Sequence, residues 1–168
     1  IAKVAEDFGL GQIFDISMPN QKKGIIPSKK WKKTTLGESW YAGETLISGI
    51  GQGFVLTSPF QLAVMTSIIA SDGKKVKPTI VKSRNINFKT NSKYSKEIKI
   101  IKKAMFKVVN ENKGTAFKSR LQDVKFSGKT GTSQVRSISL SERESDEFRK
   151  KEQEWKNRDH ALFVGYIP

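Results

Sequence analysis

The stretch Phe126-Ser127-Gly128-Lys129-Thr130-Gly131-Thr132-Ser133-Gln134-Val135 decides how the rest of the chain is read. Ten residues, most with short side chains and two of them internal glycines, predict a strand that another backbone can approach closely. Further along, His160 to Ile167 is a short, nearly continuous apolar run, the pattern of a central strand. The two strands are expected to run antiparallel, with Arg136–Asn157 between them as a protruding charged insertion. Upstream, Ser95 to Asn112 places Ile98, Ile101, Met105, Val108 and Val109 on one stripe, with Lys99, Lys102, Lys103 and Lys107 off it. That spacing predicts a half-buried helix whose lysines form its wet face. Ser58 to Ser71 is the clearest helix. Ser58 is a good N-cap, Pro59 suits the first helical position, Gln61 completes a capping box, and Gly73 ends the segment. Phe60, Leu62, Ala63, Val64, Met65, Ile68 and Ile69 make this helix apolar nearly all round. It is expected to be buried in a complete domain and to bare an apolar face in these residues alone. Residues 1–56, punctuated by glycine and proline, read as loop with short elements, and the lysines around Trp31 as a solvated loop with one buried ring. Helices and strands in this mixture define a mixed α/β (α+β) class, an antiparallel sheet flanked by helices.

Composition removes several functions. At 168 residues one domain with a real core is expected. Without cysteine there is no disulfide scaffold, thiolate metal site, iron–sulfur cluster or thiol nucleophile, and a single histidine excludes a multi-histidine metal centre. No apolar run nears the roughly 20 residues that span a bilayer, so a membrane anchor would lie outside these residues. The net charge is +15, all of it within residues 1–135. Of 31 basic residues 25 are lysine, a bias that an AT-rich genome gives to any protein and that suits nucleic-acid readout less well than arginine does. The alternative use of the charge is a polyanionic partner, such as a membrane surface, an anionic cell-wall polymer or nucleic acid, of which nucleic acid is not the expected one.

Three motif readings fail on chemistry. Gly128-Lys129-Thr130 ends like a phosphate-binding loop, but position 123, where that loop needs glycine, is Asp123. Gly49-Ile50-Gly51-Gln52-Gly53 lacks the spacing of a dinucleotide fingerprint, and no strand-like run leads into it. Glu38 and Glu44 flank Trp40-Tyr41 with nothing in the sequence to pair them as glycosidase carboxylates, and His160 reads as a structural histidine.

Read as K-T-G on a strand, Lys129-Thr130-Gly131 fits penicillin-recognising serine enzymes. The context agrees. Gly49 to Gly53 followed by Thr57-Ser58-Pro59-Phe60-Gln61-Leu62-Ala63, then Ala70-Ser71-Asp72-Gly73-Lys74, Lys113-Gly114-Thr115-Ala116 and Gly128 to Val135, resembles four ordered blocks of class B penicillin-binding proteins. Trp40-Tyr41-Ala42-Gly43-Glu44-Thr45 and Arg158 to Val164 are similar to the elongation type. The resemblance spans essentially all 168 residues and corresponds to the C-terminal part of a transpeptidase domain with the penicillin-binding protein/serine β-lactamase-like fold.

The resemblance implies a peptidoglycan D,D-transpeptidase, with no metal or organic cofactor. Such an enzyme acylates its serine with a D-Ala-D-Ala stem peptide, releases D-Ala and passes the acyl group to a neighbouring amine, and β-lactams trap the acyl-enzyme. It implies that Lys129 supplies positive charge, that Thr130 and Thr132 hold the substrate carboxylate, and that Gly131 lets the substrate backbone lie against the strand. The Thr132 N–H would complete the oxyanion hole. It further implies partners in the cell-elongation machinery and a place on the periplasmic face of the inner membrane, held by an N-terminal helix outside these residues. The family's S-x-x-K serine and S-x-N motif belong upstream of the matched blocks, and its final strand and helix beyond Pro168, so no nucleophile is expected here. Ser71 to Lys74 spells S-x-x-K across a helix end, and Ser83 to Asn85 spells S-x-N in a loop; neither gives a serine its base. The competing function is a non-catalytic basic module that binds an anionic polymer.

Overall fold

The computed structural model describes residues 1–82, 89–90, 92–135 and 155–168. It divides into two compact units, Ile1–Lys129 with Val164–Pro168, and Thr130–Phe163. The first unit carries five helices: α1 (Ala2–Asp7), α2 (Lys29–Leu36), α3 (Ala42–Gly49), α4 (Pro59–Ala70) and α5 (Ser95–Asn110). Two-residue strands β1 (Lys74–Lys75) and β2 (Lys89–Thr90) pair antiparallel. Strands β3 (Ser127–Ser133) and β4 (His160–Tyr166) are neighbours in a second sheet, as expected, but β4 is exposed or half-buried along its length and not buried as a central strand among the described residues. The second unit holds the far end of β3, the first part of β4 and a 3-10 turn at Trp155–Asn157. Most of the expected charged insertion, 136–154, lies outside the described residues.

The core is where α4 meets α5. Val64, Ile68 and Ile69 of α4 are buried with Ile98, Met105 and Val109 of α5 and Ala116 beyond it. Helix α4 starts as its capping box requires: Ser58 Oγ accepts from the Gln61 N–H at 3.2 Å, and Gln61 Oε1 accepts from the Ser58 N–H. It ends at Ser71, where Asp72 and Gly73 adopt left-handed φ of 57° and 85° and the Gly73 N–H bonds back to Ile68 O at 2.8 Å.

Gln61 does more than cap. It is 1% exposed, and its amide nitrogen donates to Gln12 O at 2.7 Å and Lys23 O at 2.9 Å. One buried amide thus ties the 12–23 loop to the start of α4, with each polar group satisfied. Phe14 of that loop meets Phe60 edge-to-face at 5.4 Å. With the loop on one side and α5 on another, the large apolar residues of α4 are buried or half-buried. The expected bare face on α4 is therefore corrected. Among the described residues, uncovered apolar side chains are instead found elsewhere, for example Leu46 of α3 and Ile50 just beyond it, 75% and 77% exposed, and Ile100 of α5.

The short elements expected in residues 1–56 are the three helices α1, α2 and α3; a second correction concerns the lysine-rich stretch around Trp31. Ser28 Oγ caps α2 by accepting from the Trp31 N–H at 3.1 Å, and Gly37 closes it in the left-handed region. The lysine-rich stretch is thus a helix, and it buries Lys32 as well as shielding Trp31, which packs on Phe54 at 5.3 Å. An alternating-charge or apolar signal was missing because α2 has only Trp31 and Leu36 as large apolar residues.

Two ties bind α5 into this unit. Lys102 Nζ reaches Asp72 Oδ1 at 2.7 Å and Ala70 O at 3.0 Å, pinning α5 to the end of α4. Tyr94 Oη donates to Asp7 Oδ2 at 2.7 Å, joining the approach to α5 to α1. The Lys113-Gly114-Thr115-Ala116 turn folds back on α5, with Ala116 N–H donating to Val108 O at 3.0 Å. A Cβ on Gly114 would strike that same carbonyl oxygen, so only glycine fits.

Candidate active site

Strand β3 changes character along its length. Ser127 and Gly128 are buried, whereas Lys129, Gly131, Thr132 and Ser133 are exposed and Thr130 is half-buried. The buried start is anchored from α5, whose Asn110 Nδ2 donates to Phe126 O at 2.9 Å. Past its end, the Val135 N–H approaches Asp159 Oδ1, next to the start of β4, at 3.4 Å. Between these anchors the motif residues lie at the surface on a strand already paired along β4.

Gly131 is informative because the fold does not need it. A Cβ placed there would sit 3.7 Å from Leu162 Cβ, an ordinary contact, and the backbone is not left-handed. A side chain would fit the chain's own packing, so the absence of one matters to whatever approaches from outside. Lys129 and the hydroxyls of Thr130 and Thr132 lie on the same strand and furnish a cation and two hydroxyl donors. Such a row suits a carboxylate lying along a backbone. His160 is exposed at the first position of β4.

The glycine block is a turn that ends α3. Gly51 N–H donates to Ser48 O and Gln52 N–H to Ile47 O, each at 3.1 Å, and Gly51 and Gly53 have φ of 76° and 72°. A Cβ on Gly53 would also come within 2.9 Å of Ile47 Cγ2. After this turn, Leu56 and Ile25 exchange both backbone hydrogen bonds, at 2.8 and 2.9 Å, and deliver the chain to the Ser58 cap.

The S-x-x-K at Ser71 has the wrong shape for a nucleophile and its base. Ser71 Oγ donates to Ser67 O at 2.7 Å, and the two left-handed residues that follow turn Lys74 out of the helix into β1. Ser83 to Asn85 lies outside the described residues.

One charged cluster was invisible in the sequence. Glu38 and Glu44, unpaired on paper, converge on Lys32: Nζ lies 2.6 Å from Glu44 Oε1 and 3.2 Å from Glu38 Oε2. The Tyr41 ring covers the ammonium at 4.4 Å, and Lys32 is only 2% exposed. The second oxygen of Glu44 accepts from the Tyr41 N–H at 2.7 Å, capping α3. The hydrogen bond to Glu44 outweighs burial and raises the Lys32 pKa, while the same bond, aided by the Tyr41 N–H, lowers that of Glu44. The carboxylates are thus consumed by a structural lysine, twelve residues from Glu44 and six from Glu38, a spacing that no helical or strand period reports.

Over residues 1–168 the chain matches the family model described as the penicillin binding protein transpeptidase domain, and it belongs to that family. It is 33% identical to the peptidoglycan D,D-transpeptidase MrdA of Acinetobacter baumannii, over 96% of this chain and 25% of that protein. The MrdA of Haemophilus influenzae is 30% identical over 97% of this chain and 26% of its own length. Among solved structures, the penicillin-binding protein PBP2 of Helicobacter pylori, in complex with MreC, superposes with a TM-score of 0.80 at 30% identity, covering 99% of this chain and 29% of that one. The chain therefore spans about a quarter of the length of the curated relatives it matches. The mixed α/β class is that of the penicillin-binding transpeptidase fold.

Proposed function

We propose that these residues form the K-T-G wall of a peptidoglycan D,D-transpeptidase site acting in cell elongation. Lys129 supplies positive charge beside the substrate carboxylate and the nucleophile. Thr130 and Thr132 hydrogen-bond the carboxylate, of the stem peptide or of a β-lactam. The substrate backbone lies along Gly131, and the Thr132 N–H donates to the oxyanion as the carbonyl becomes tetrahedral. The serine that is acylated, its base lysine and the S-x-N motif come from residues other than these 168. No metal or organic cofactor enters this scheme.

The observation that carries the reading is Gly131: an exposed strand glycine that packing does not require, set between two threonines and two residues past a lysine. Family membership supports the reaction class and weighs against a non-catalytic basic module. The elongation role rests on likeness to MrdA proteins and to a PBP2 solved with MreC; an MreC-like protein is the partner proposed for the whole enzyme. Its place would be the periplasmic face of the inner membrane. Among the described residues no helix is long and apolar enough to cross a membrane, so these residues would not supply the anchor.

The test is labelling by a fluorescent penicillin. The 168-residue chain alone is expected to stay unlabelled, because acylation needs an activated serine. Co-expression with an upstream half carrying S-x-x-K and S-x-N is expected to restore labelling. Stable covalent labelling of the chain by itself, or none in the assembled pair, would overturn the proposal.

A further inference from the structure

Helix α5 offers a surface that neither the fold nor the K-T-G strand uses. Lys96, Lys99, Lys103 and Lys107 follow one another at spacings of three, four and four, so they share one face. All four are exposed, and the face lies opposite the buried stripe of Ile98, Met105 and Val109. The ridge runs for about 16 Å along the helix axis. Ile100, 70% exposed, sits within it.

The other lysine of the helix, Lys102, is spent on Asp72. Lys107 meets Glu111 at 3.3 Å, while among the described residues Lys96, Lys99 and Lys103 form no ion pair. An ordinary wet face mixes signs, because like charges four residues apart weaken a helix and opposite charges strengthen it. Here Lys99, Lys103 and Lys107 repel in series, and a polyanion laid along the ridge relieves that repulsion. Lysines act as point charges on flexible stems, which suits carboxylates scattered along a mobile polymer better than the fixed fork of arginine.

We infer that this ridge is a docking surface for the carboxylates of uncross-linked peptidoglycan stem peptides, carried by a helix and not by the K-T-G strand. The choice of polymer rests on the function proposed above: a transpeptidase works on a strand that presents many stem peptides, and a second, weak electrostatic contact holds that strand near the enzyme.

Sedimentation of the full chain with purified insoluble peptidoglycan at low salt tests this. The charge reversal K96E/K99E/K103E is expected to weaken apparent binding about tenfold or more. The same charge change on exposed lysines elsewhere, K3E/K23E/K118E, is expected to stay within about twofold of the parent. Converting the peptidoglycan carboxylates to amides is expected to abolish binding by the unaltered chain, an arm that needs no variant to fold. Equal losses for both triple variants, no loss for the ridge variant, or undiminished binding to amidated peptidoglycan would overturn the inference. Stronger ridge-dependent binding to phosphatidylglycerol vesicles than to peptidoglycan would also overturn it, assigning the face to a lipid surface. Penicillin labelling is a separate readout, so failure here and failure of the transpeptidase assignment are told apart.

Discussion

Lys32 and Lys129 sit in regions built on opposite plans. Between α2 and α3, Lys32 is buried, clasped by Glu38 and Glu44 and roofed by Tyr41, and each carboxylate that approaches it belongs to the chain itself. On β3, Lys129 is exposed on a paired strand whose next residues are a half-buried threonine and a glycine the packing does not require. The first region spends its charge on joining two short helices. The second places its lysine at the surface of a paired strand, where an external anion can reach it. A lysine's residue type says nothing about which plan it serves; its burial does.

The sharpest way to break this contrast is to remove each cation and read both stability and labelling in the assembled enzyme. Lys129→Ala is expected to slow fluorescent-penicillin acylation by about tenfold to a hundredfold, since a charge-assisted contact contributes roughly 1.5–3 kcal/mol. Its thermal transition is expected to move little, because surface changes stay within about 0.5 kcal/mol. An unchanged acylation rate would remove Lys129 from the site. Lys32→Met should show the reverse. It leaves Glu44 and Glu38 facing each other without their cation and loosens the start of α3, so Tm falls while the folded fraction acylates at nearly the parent rate. A Lys32→Met protein with unaltered Tm would show that the clasp is decorative.

How far the sequence carried these conclusions follows from where each signal resides. The capping box at Ser58 and Gln61, the buried stripe of α5 and the two strands were legible because caps and hydrophobic periods act within a few residues. Their bounds shift only slightly: α5 ends at Asn110 rather than Asn112, and β3 spans Ser127–Ser133 within the expected Phe126–Val135. The Lys32 clasp was not legible, because α2 carries little apolar periodicity and its carboxylate partners are brought in by the loop and by α3. For the same reason α4 looked bare: its cover is the loop pinned by Gln61 to Gln12 and Lys23 carbonyls, a contact between segments some forty to fifty residues apart. The K-T-G strand was legible as a motif, yet only the structure separates Gly131, which packing tolerates as alanine, from Gly53 and Gly114, which it does not.

That separation is itself testable with a smaller effect. Gly131→Ala is expected to leave stability within about 0.5 kcal/mol of the parent, since its methyl meets Leu162 at ordinary contact distance. Acylation is expected to slow by about tenfold, as the methyl lifts the substrate backbone off the strand. If Tm falls steeply, the glycine is structural after all and the strand loses its strongest mark of function.

The smallest expected effect is the pH dependence of the Lys32 clasp. In the folded chain the Glu44 carboxyl has its pKa held below the ordinary 4.5 by the Lys32 ammonium and the Tyr41 N–H. A lowered folded value means that Glu44 contributes its full stabilisation above 4.5, and that this is lost as pH falls through the folded value. Lys32 works in the other direction: its folded pKa lies above 10.5, so its share is complete below 10.5 and fades as pH rises through the folded value. The clasp is therefore whole across the neutral range and weakens at both ends. Asp7 adds a second acid-labile contribution, its pKa lowered chiefly by the Tyr94 hydroxyl and further by Lys93, and that one is untouched by a change at position 32. The Tm difference between parent and Lys32→Met should accordingly be constant near neutrality and shrink below pH 4.5, without the acid slope vanishing from the variant. Thermal melts at a series of pH values check this, and parallel curves for the parent and Lys32→Met would mean that Glu44 draws no stability from its lysine.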